Sequence, residues 1–456
     1  MTAAAGSTKP PEISPEMQRE RRAWYWYDWA NSAFYTTVLT VVFGPLMVTV
    51  AGRAAGCGDD EDPCSKTVTV LGLHLAAGSL PSYLMSFATI ASAFLLPIVG
   101  AMVDRSGRKK MHMAWFAWSG SFFAALLFFL QGDNWELAAV AVVVASILCG
   151  CSLIAYYAML TDIATEEDRD LVSARGWAFG YLGGGVLLVV NLGMVLGHTA
   201  LGLEEEMAAR LALLSAAIWW AAFTIIPVRG LRNRPPVDVE DVEGGLVRRG
   251  FGQLIQTLKE MRAYPMTLTF LVAYLFYNDG IQTVIVSAAI YGDKQLGFET
   301  EVLIGTIVMI QFVAFGGALA FGRLAQRFGA YNCLLAGAGA WMVIVVVALF
   351  LPAGQIVPFM LVGIAIALVM GGTQALFRSF FSLLIPPGKE GAYFALYAAA
   401  ERGTSWLGTL VFGLVFQLTG SYRPALGVLI VFFVIGGALL LRVDPKKGIE
   451  QARIRV

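Results

Sequence analysis

The chain is 456 residues long, 57% hydrophobic and only 14% charged, with 32 basic against 32 acidic side chains. A soluble protein of this length carries about a quarter charged residues, so a soluble domain is excluded. The balanced charge gives no footprint for nucleic acid. The apolar residues gather in runs of roughly 20, enough to cross a hydrocarbon core. Backbone groups in lipid must be satisfied within the segment, so these runs have to be helices. The expected fold class is an all-α membrane protein.

Residues 1–23 are charged and contain Pro without an apolar core, which reads as a short cytosolic tail rather than a secretory signal. An N-terminal bundle over 24–227 follows, with spans at about 24–50, 80–102, 111–131, 135–161, 172–197 and 208–227. Residues 228–264 break the pattern with Arg229, Arg232, Arg234, Pro235, Pro236 and an acidic cluster, and read as a linker in which 251–262 form a surface helix. A C-terminal bundle over 265–442 has spans at about 266–291, 301–321, 331–351, 356–385, 391–418 and 423–442, and a polar tail covers 443–456. The expectation is twelve transmembrane helices in two pseudo-symmetric six-helix bundles.

Twelve spans put both termini on one face, and charge bias identifies it. The opposite loops hold only Arg53, Lys66, Arg210, Lys294 and Arg423 of the 32 basic residues, and Arg402 lies inside a span. By the positive-inside rule the tails and linker are cytosolic. Cys57 and Cys64 then lie in an outer loop, where the compartment permits a disulfide between them. Cys149, Cys151 and Cys333 belong to apolar runs and read as packing residues, and His74, His112 and His198 as interfacial ones. No cluster of metal ligands and no phosphate-binding loop is present, so neither a metal, a cofactor nor a nucleotide motor is expected.

Ionisable residues inside spans are expensive and default to functional candidates. Asp28 either satisfies a helix N-terminus among interfacial aromatics or belongs to a cavity wall, since Asp28, Asn31, Ser32 and Tyr35 share one helical face. Asp279 lies about 20 Å beyond Pro265 along its helix, too deep for capping, beside Asn278 and Gln282. Glu401 and Arg402 are adjacent and need separate partners; Tyr393, Tyr397, Glu401 and Ser405 form an i, i+4 ladder. Arg378 shares a face with Gln374 and Ser382 and reads either as a clamp for a carboxylate or as a gate. The run Gly183-Gly184-Gly185 suits close helix packing.

One further stretch organises the chain. Gly100, Asp104, Arg105, Gly107, Arg108 and Lys109 form a charged turn between two spans, and Gly322, Gln326, Arg327 and Gly329 repeat its spacing. The pattern resembles the loop between the second and third helices of major facilitator superfamily transporters, which recurs between helices eight and nine. Five more stretches are similar to one branch, the vacuole effluxer-like transporters, whose eukaryotic members include an autophagy-related vacuolar amino-acid exporter. These are residues 27–34; 162–164 with 172–173 and 180–184; 277–283; Arg378-Ser379 with 384–386; and 400–403. Gln326 departs from the family, which keeps Asp there, and leaves Asp104 as the acidic latch of the pair.

The resemblance implies the major facilitator fold, release or efflux of neutral amino acids by alternating access, and contact of Asp104 with the start of span eleven. Proton coupling is expected, because a low-dielectric cavity favours the neutral form of a carboxyl group. The candidate substrate or proton groups are Asp28, Asn31, Tyr35, Asn278, Asp279, Gln282, Tyr397 and Glu401. The candidate gating groups are Gly100, Asp104, Arg105, Gly107, Arg108, Arg327, Arg378 and Arg402. Partners are a small solute, protons and the bilayer, with the protein a monomer in a bacterial cytoplasmic membrane. Efflux of drugs or other metabolites is the alternative within transport; a non-transporting scaffold or receptor has no use for mid-depth acids, and an enzyme would need a nucleophile or metal cluster.

Overall fold

The computed structural model describes residues 14–57, 66–70, 72–235, 259–403, 405–419 and 421–453. The first helix, α1 (Pro15–Ala54), begins earlier than the expected tail boundary. Ser14 accepts the backbone N–H of Met17 at 3.2 Å and Pro15 occupies the first helical turn, the residue types that a helix start favours. Residues 15–23 of the expected tail are therefore helix. Within α1, Phe34–Val42 is π-helical, and Thr40 bonds the carbonyl of Tyr35 five residues back. Such wide turns concentrate at functional sites.

Between the first two spans lies a hairpin of β1 (Thr67–Val70) and β2 (Leu73–Ala76), antiparallel with Val70 opposite Leu73. It was not among the expected elements. Its signal is the period-two alternation in Thr67-Val68-Thr69-Val70, too short to compete with the spans around it. Cys57 is disulfide-bonded; its expected partner Cys64 lies outside the described residues. Cys149, Cys151 and Cys333 are buried free thiols.

The remaining helices are α2 (Leu80–Ser106), α3 (Lys109–Leu126), α4 (Trp135–Ala158), α5 (Arg169–Leu196), α6 (Glu205–Gly230), α7 (Pro265–Ile290), α8 (Thr300–Phe328), α9 (Ala330–Leu349), α10 (Ile356–Leu383), α11a (Glu390–Gly403), α11b (Ser405–Thr419), α12 (Tyr422–Leu440) and α13 (Pro445–Arg453). Among the described residues, eleven spans are individually long and apolar enough to cross a membrane. The twelfth expected crossing is carried by α11a and α11b. Of the expected surface helix at 251–262, only the last residues are described, ending in a 3-10 turn at Met261–Ala263.

The helices form two six-helix bundles. In the first, α1 packs on α5 and α6, and α4 on α2 and α3; in the second, α7 packs on α12 and α11b, and α10 on α8 and α9. The seam between bundles is built from α5 against α8 and α10, and α11a against α2 and α4. Glycines set these approaches: a side chain on Gly183 would meet the backbone of Trp29 in α1, and one on Gly185 would meet Gln311 of α8. The glycine run thus works as close packing on both sides of α5. Large apolar side chains such as Phe87, Trp115, Phe122 and Leu361 point outward, as lipid-facing positions do. At one face Arg21 pairs with Asp168 at 2.6 Å, Arg234 with Glu20 at 2.6 Å, and Arg453 with Glu166, so the start of α1 and the final helix α13 lie on the same side.

Candidate functional site

The seam contains a buried charge cluster near the face that bears the chain ends. Arg378 of α10 lies with its side chain 1% exposed and donates from Nη1 to Oδ2 of Asp28 in α1 at 3.3 Å. Its Nε and Nη2 donate to the hydroxyl and carbonyl of Ser173 in α5 at 2.9 and 2.8 Å. Tyr156 of α4 donates to the same Asp28 oxygen at 2.6 Å. The guanidinium also lies over the rings of Trp24, Tyr156, Tyr157 and Trp177, with centroids 4.9 to 5.6 Å away. Arginine suits this position because its planar fork serves several acceptors at once while its faces stack on aromatics.

Asp28 lies well inside α1, which begins at Pro15, so the capping role that its apparent position suggested does not apply. It faces the glycine strip of α5, where a side chain on Gly176 would meet both its carboxylate and Arg378. Asn31 donates to the carbonyl of Tyr27 at 2.6 Å, and the hydroxyl of half-buried Tyr35 accepts from the thiol of Cys149 at 3.6 Å. These two therefore stand along α1, apart from the charge cluster.

A second cluster lies in the C-terminal bundle. The Asn278 amide donates to the backbone carbonyl of Glu401 at 2.7 Å and accepts from Gln374 at 3.1 Å. Asp279 is fully buried; one oxygen accepts the N–H of Gly408 in α11b at 2.9 Å, and the other has no partner among the described residues. The Thr283 hydroxyl one turn on and the Gln374 carbonyl oxygen are likewise buried without a partner. Gln282 is half-buried one turn beyond Asn278. Tyr397 is buried and stacks on Tyr274 at 4.3 Å and 8°, while Glu401 is half-buried. The Arg402 side chain lies outside what is described.

The charged turn is the third element. Asp104 accepts two backbone N–H groups at the start of α11a, from Gly391 at 2.5 Å and Ala392 at 2.8 Å, a carboxylate placed at the positive end of a helix dipole. Gly100 and Gly391 face each other so closely that a side chain on either would enter the other's backbone carbonyl. Gly107 ends α2 with φ 59°, a left-handed turn that favours glycine. Arg108 is exposed, and Arg105 is half-buried. In the repeat, Gly322 packs on Ala174 of α5, but Gln326 and Arg327 are exposed, and Arg327 covers the ring of Phe328. The acid contacting the seam there is instead Asp170, which accepts from Ser379 at 2.5 Å.

The sequence reading brought together Asp28 and Arg378 only as separate candidates, and it missed Tyr156, Ser173 and Trp24 as their partners. Trp24 lies one turn before Asp28 on α1, a spacing that the sequence offers, whereas Tyr156 and Ser173 come from α4 and α5 and no spacing within one segment joins them to the pair.

The profile of the family described as "Vacuole effluxer Atg22 like" matches residues 16–453, nearly the whole chain. The chain belongs to this family. It is 31% identical over 434 residues to the MFS-type transporter YxiO of Bacillus subtilis, covering 95% of this chain and 96% of that one. It is 26% identical to autophagy-related protein 22 of Coccidioides immitis, covering 97% and 89% of the two. Among solved structures, the major facilitator superfamily proton:xylose symporter XylE superposes with a TM-score of 0.71 over 96% of this chain and 98% of that one, at 12% identity. The fold of this Atg22-like transporter is thus the major facilitator fold, and the molecule is a transporter and not an enzyme. The Asp28–Arg378, Asp170–Ser379 and Asp104–α11a contacts all lie in the seam between its two bundles.

Proposed function

We propose that this transporter carries neutral amino acids outward by alternating access, coupled to protons, with the face that bears the chain ends in the cytosol. The observation that carries the reading is the set of mid-depth polar atoms that find no partner among the described residues, namely Asp279 Oδ1, Thr283 Oγ1 and Gln374 Oε1, beside the Asn278–Glu401 contact. Polar groups in a bilayer interior are costly unless water, protons or solute satisfy them, so this cluster suits a small polar cargo. Asp279 is the assigned proton carrier. Asp28, Arg378 and Asp104 act as the cytosolic gate and are closed in this conformation. The sequence similarity to autophagy-related protein 22 supports the family's cargo class, and the relationship to YxiO supports a bacterial cytoplasmic membrane. Both bundles belong to one chain, so a monomer is sufficient for the pathway.

Counterflow in proteoliposomes tests the assignment. Vesicles loaded with unlabelled leucine, isoleucine or tyrosine are expected to take up the labelled amino acid transiently, above protein-free vesicles. No counterflow with any neutral amino acid, together with counterflow of hydrophobic cations, would replace this reading with efflux of other metabolites.

A further inference from the structure

The face opposite the chain ends carries a cavity that neither the gate nor the proton site uses. It measures about 500 Å³ and lies wholly in the N-terminal bundle, between the α3–α4 loop (Gln131, Asp133, Asn134) and the first turns of α6 (Glu204, Met207, Arg210). Two long helices begin at its wall, α4 at Trp135 and α6 at Glu205, and neither N-cap residue, Asn134 or Glu204, bonds its own helix with its side chain. Such helix starts offer N–H groups and a positive dipole end to an anion. The independent observation is Arg210, which is only 7% exposed. Its Nε donates to the carbonyl of Phe128 at 2.6 Å, and its guanidinium lies 4.8 Å from the centroid of that residue's ring. These contacts fix the fork. The terminal nitrogens Nη1 and Nη2 have no acceptor among the described residues, and Arg210 forms part of the cavity wall.

A guanidinium held in this way can take a carboxylate through two parallel bonds. An ion of several negative charges does not suit the place, because Asp133 and Glu204 share the wall and have no ion pair among the described residues; Glu206 is already paired with Arg53 at 2.5 Å. Among the described residues no group of three acids, histidines or cysteines is arranged to hold a metal ion. Met207 is the one large apolar side chain on the wall, so a lipid tail has no lane there. We propose that this cavity binds a small free zwitterion of the amino-acid class, its carboxylate on Arg210 and the two helix starts and its ammonium on Asp133 and Glu204. Its walls come from one bundle, so tilting of the bundles does not remake it, and the solute is held at this face and not carried. Binding joins the α3–α4 loop to the start of α6, which the Arg53–Glu206 pair already ties to the end of α1. The site stands whether or not amino acids are the cargo.

The test reads the cavity itself in the purified full-length protein. Gln131 is exposed and gives its backbone N–H to Asn134 at 2.9 Å, so Gln131→Cys keeps the loop and places a thiol on the rim, while Cys149, Cys151 and Cys333 are buried. The variant is labelled with a membrane-impermeant maleimide in the presence of leucine, leucinamide or N-acetyl-leucine. Leucine, which carries both charges, should slow labelling several-fold. Leucinamide, without the carboxylate, and N-acetyl-leucine, without the ammonium, should leave the rate unchanged. Protection by leucine should vanish when Asp133→Asn and Glu204→Gln, both at exposed positions, are added together, and also with Arg210→Gln. If Arg210→Gln fails to fold, the double change decides. Labelling that leucine does not slow, or equal protection by leucinamide or N-acetyl-leucine, would overturn the site. So would protection that survives the double change, since leucine would then act from elsewhere in the molecule.

Discussion

Arg378 and Asp28 stand 350 positions apart in the chain and meet at 3.3 Å, their side chains 1% and 10% exposed. The pair joins the last third of the molecule to its first helix, and Ser173 and Tyr156 complete its hydrogen bonding. A buried pair of this kind adds little net stability compared with apolar packing, but removing one partner strands the other at a cost of about 3–5 kcal/mol. In a transporter with two folded states, that cost falls on the closed seam and not on the fold.

Arg378→Gln should therefore shift the protein toward opening at this face while leaving its helical content unchanged. A cysteine placed at Ser382, now buried against Arg169, should label with a membrane-impermeant maleimide several-fold faster in Arg378→Gln than in the parent. The Asp28→Ala, Arg378→Ala double variant should label more slowly than Arg378→Ala alone, because no stranded carboxylate remains. Equal labelling in all of them would mean that the pair does not hold the seam.

Gly100 and Gly391 make a sharper steric prediction. A side chain at either position enters the opposing backbone, and overpacking of this kind costs about 1–3 kcal/mol. Gly391→Val should lower the melting temperature and accelerate labelling at Ser382→Cys. Gly339, with open space around it in α9, is the control: Gly339→Ala should be neutral or slightly stabilising, since glycine is a poor helix former. A neutral Gly391→Val would show that α2 and α11a can separate without loss.

The architecture was legible because lipid leaves few choices. Long apolar runs such as 135–158 must be helices, and the repeated charged turn marks the two halves. The start of α1 was missed because charge in Pro15–Arg22 outweighed the Ser14-Pro15 cap, although Glu20 and Arg21 are buried there. The contact of Asp104 with the start of α11a was legible because the motif keeps its residue type, and Gln326 was legible as the departure in the repeat. That Asp170 and Ser379 occupy the seam there was not legible, since the two residues are separated by 209 positions and neither has a distinctive spacing.

Asp104 should contribute through its two acceptors. Asp104→Ala removes both bonds to the start of α11a, and loss of such a capping carboxylate costs about 1–2 kcal/mol. Asp104→Asn keeps one acceptor oxygen and should show a smaller drop in melting temperature. Introducing Asp at the exposed Gln326 should not rescue Asp104→Ala, because that position contacts no helix start in this conformation. A rescued melting temperature would mean that the second charged turn reaches α5 in solution.

On the proposed function, Asp279 separates coupling from binding. Its carboxylate is fully buried, one oxygen held by Gly408 and the other unpartnered, and no basic side chain bonds to it among the described residues. A charge so placed is costly without a proton or a partner. Asp279→Asn fixes the site in a permanently neutral form while the side-chain oxygen still accepts from Gly408, so the fold should survive. Counterflow of labelled cargo, which needs no gradient, should persist near the parent rate. Transport driven by an imposed pH gradient should be lost, and the rate should become flat between about pH 5 and 8. Gradient-driven transport at the parent rate in Asp279→Asn would move proton coupling elsewhere, with Glu401 the next group to replace.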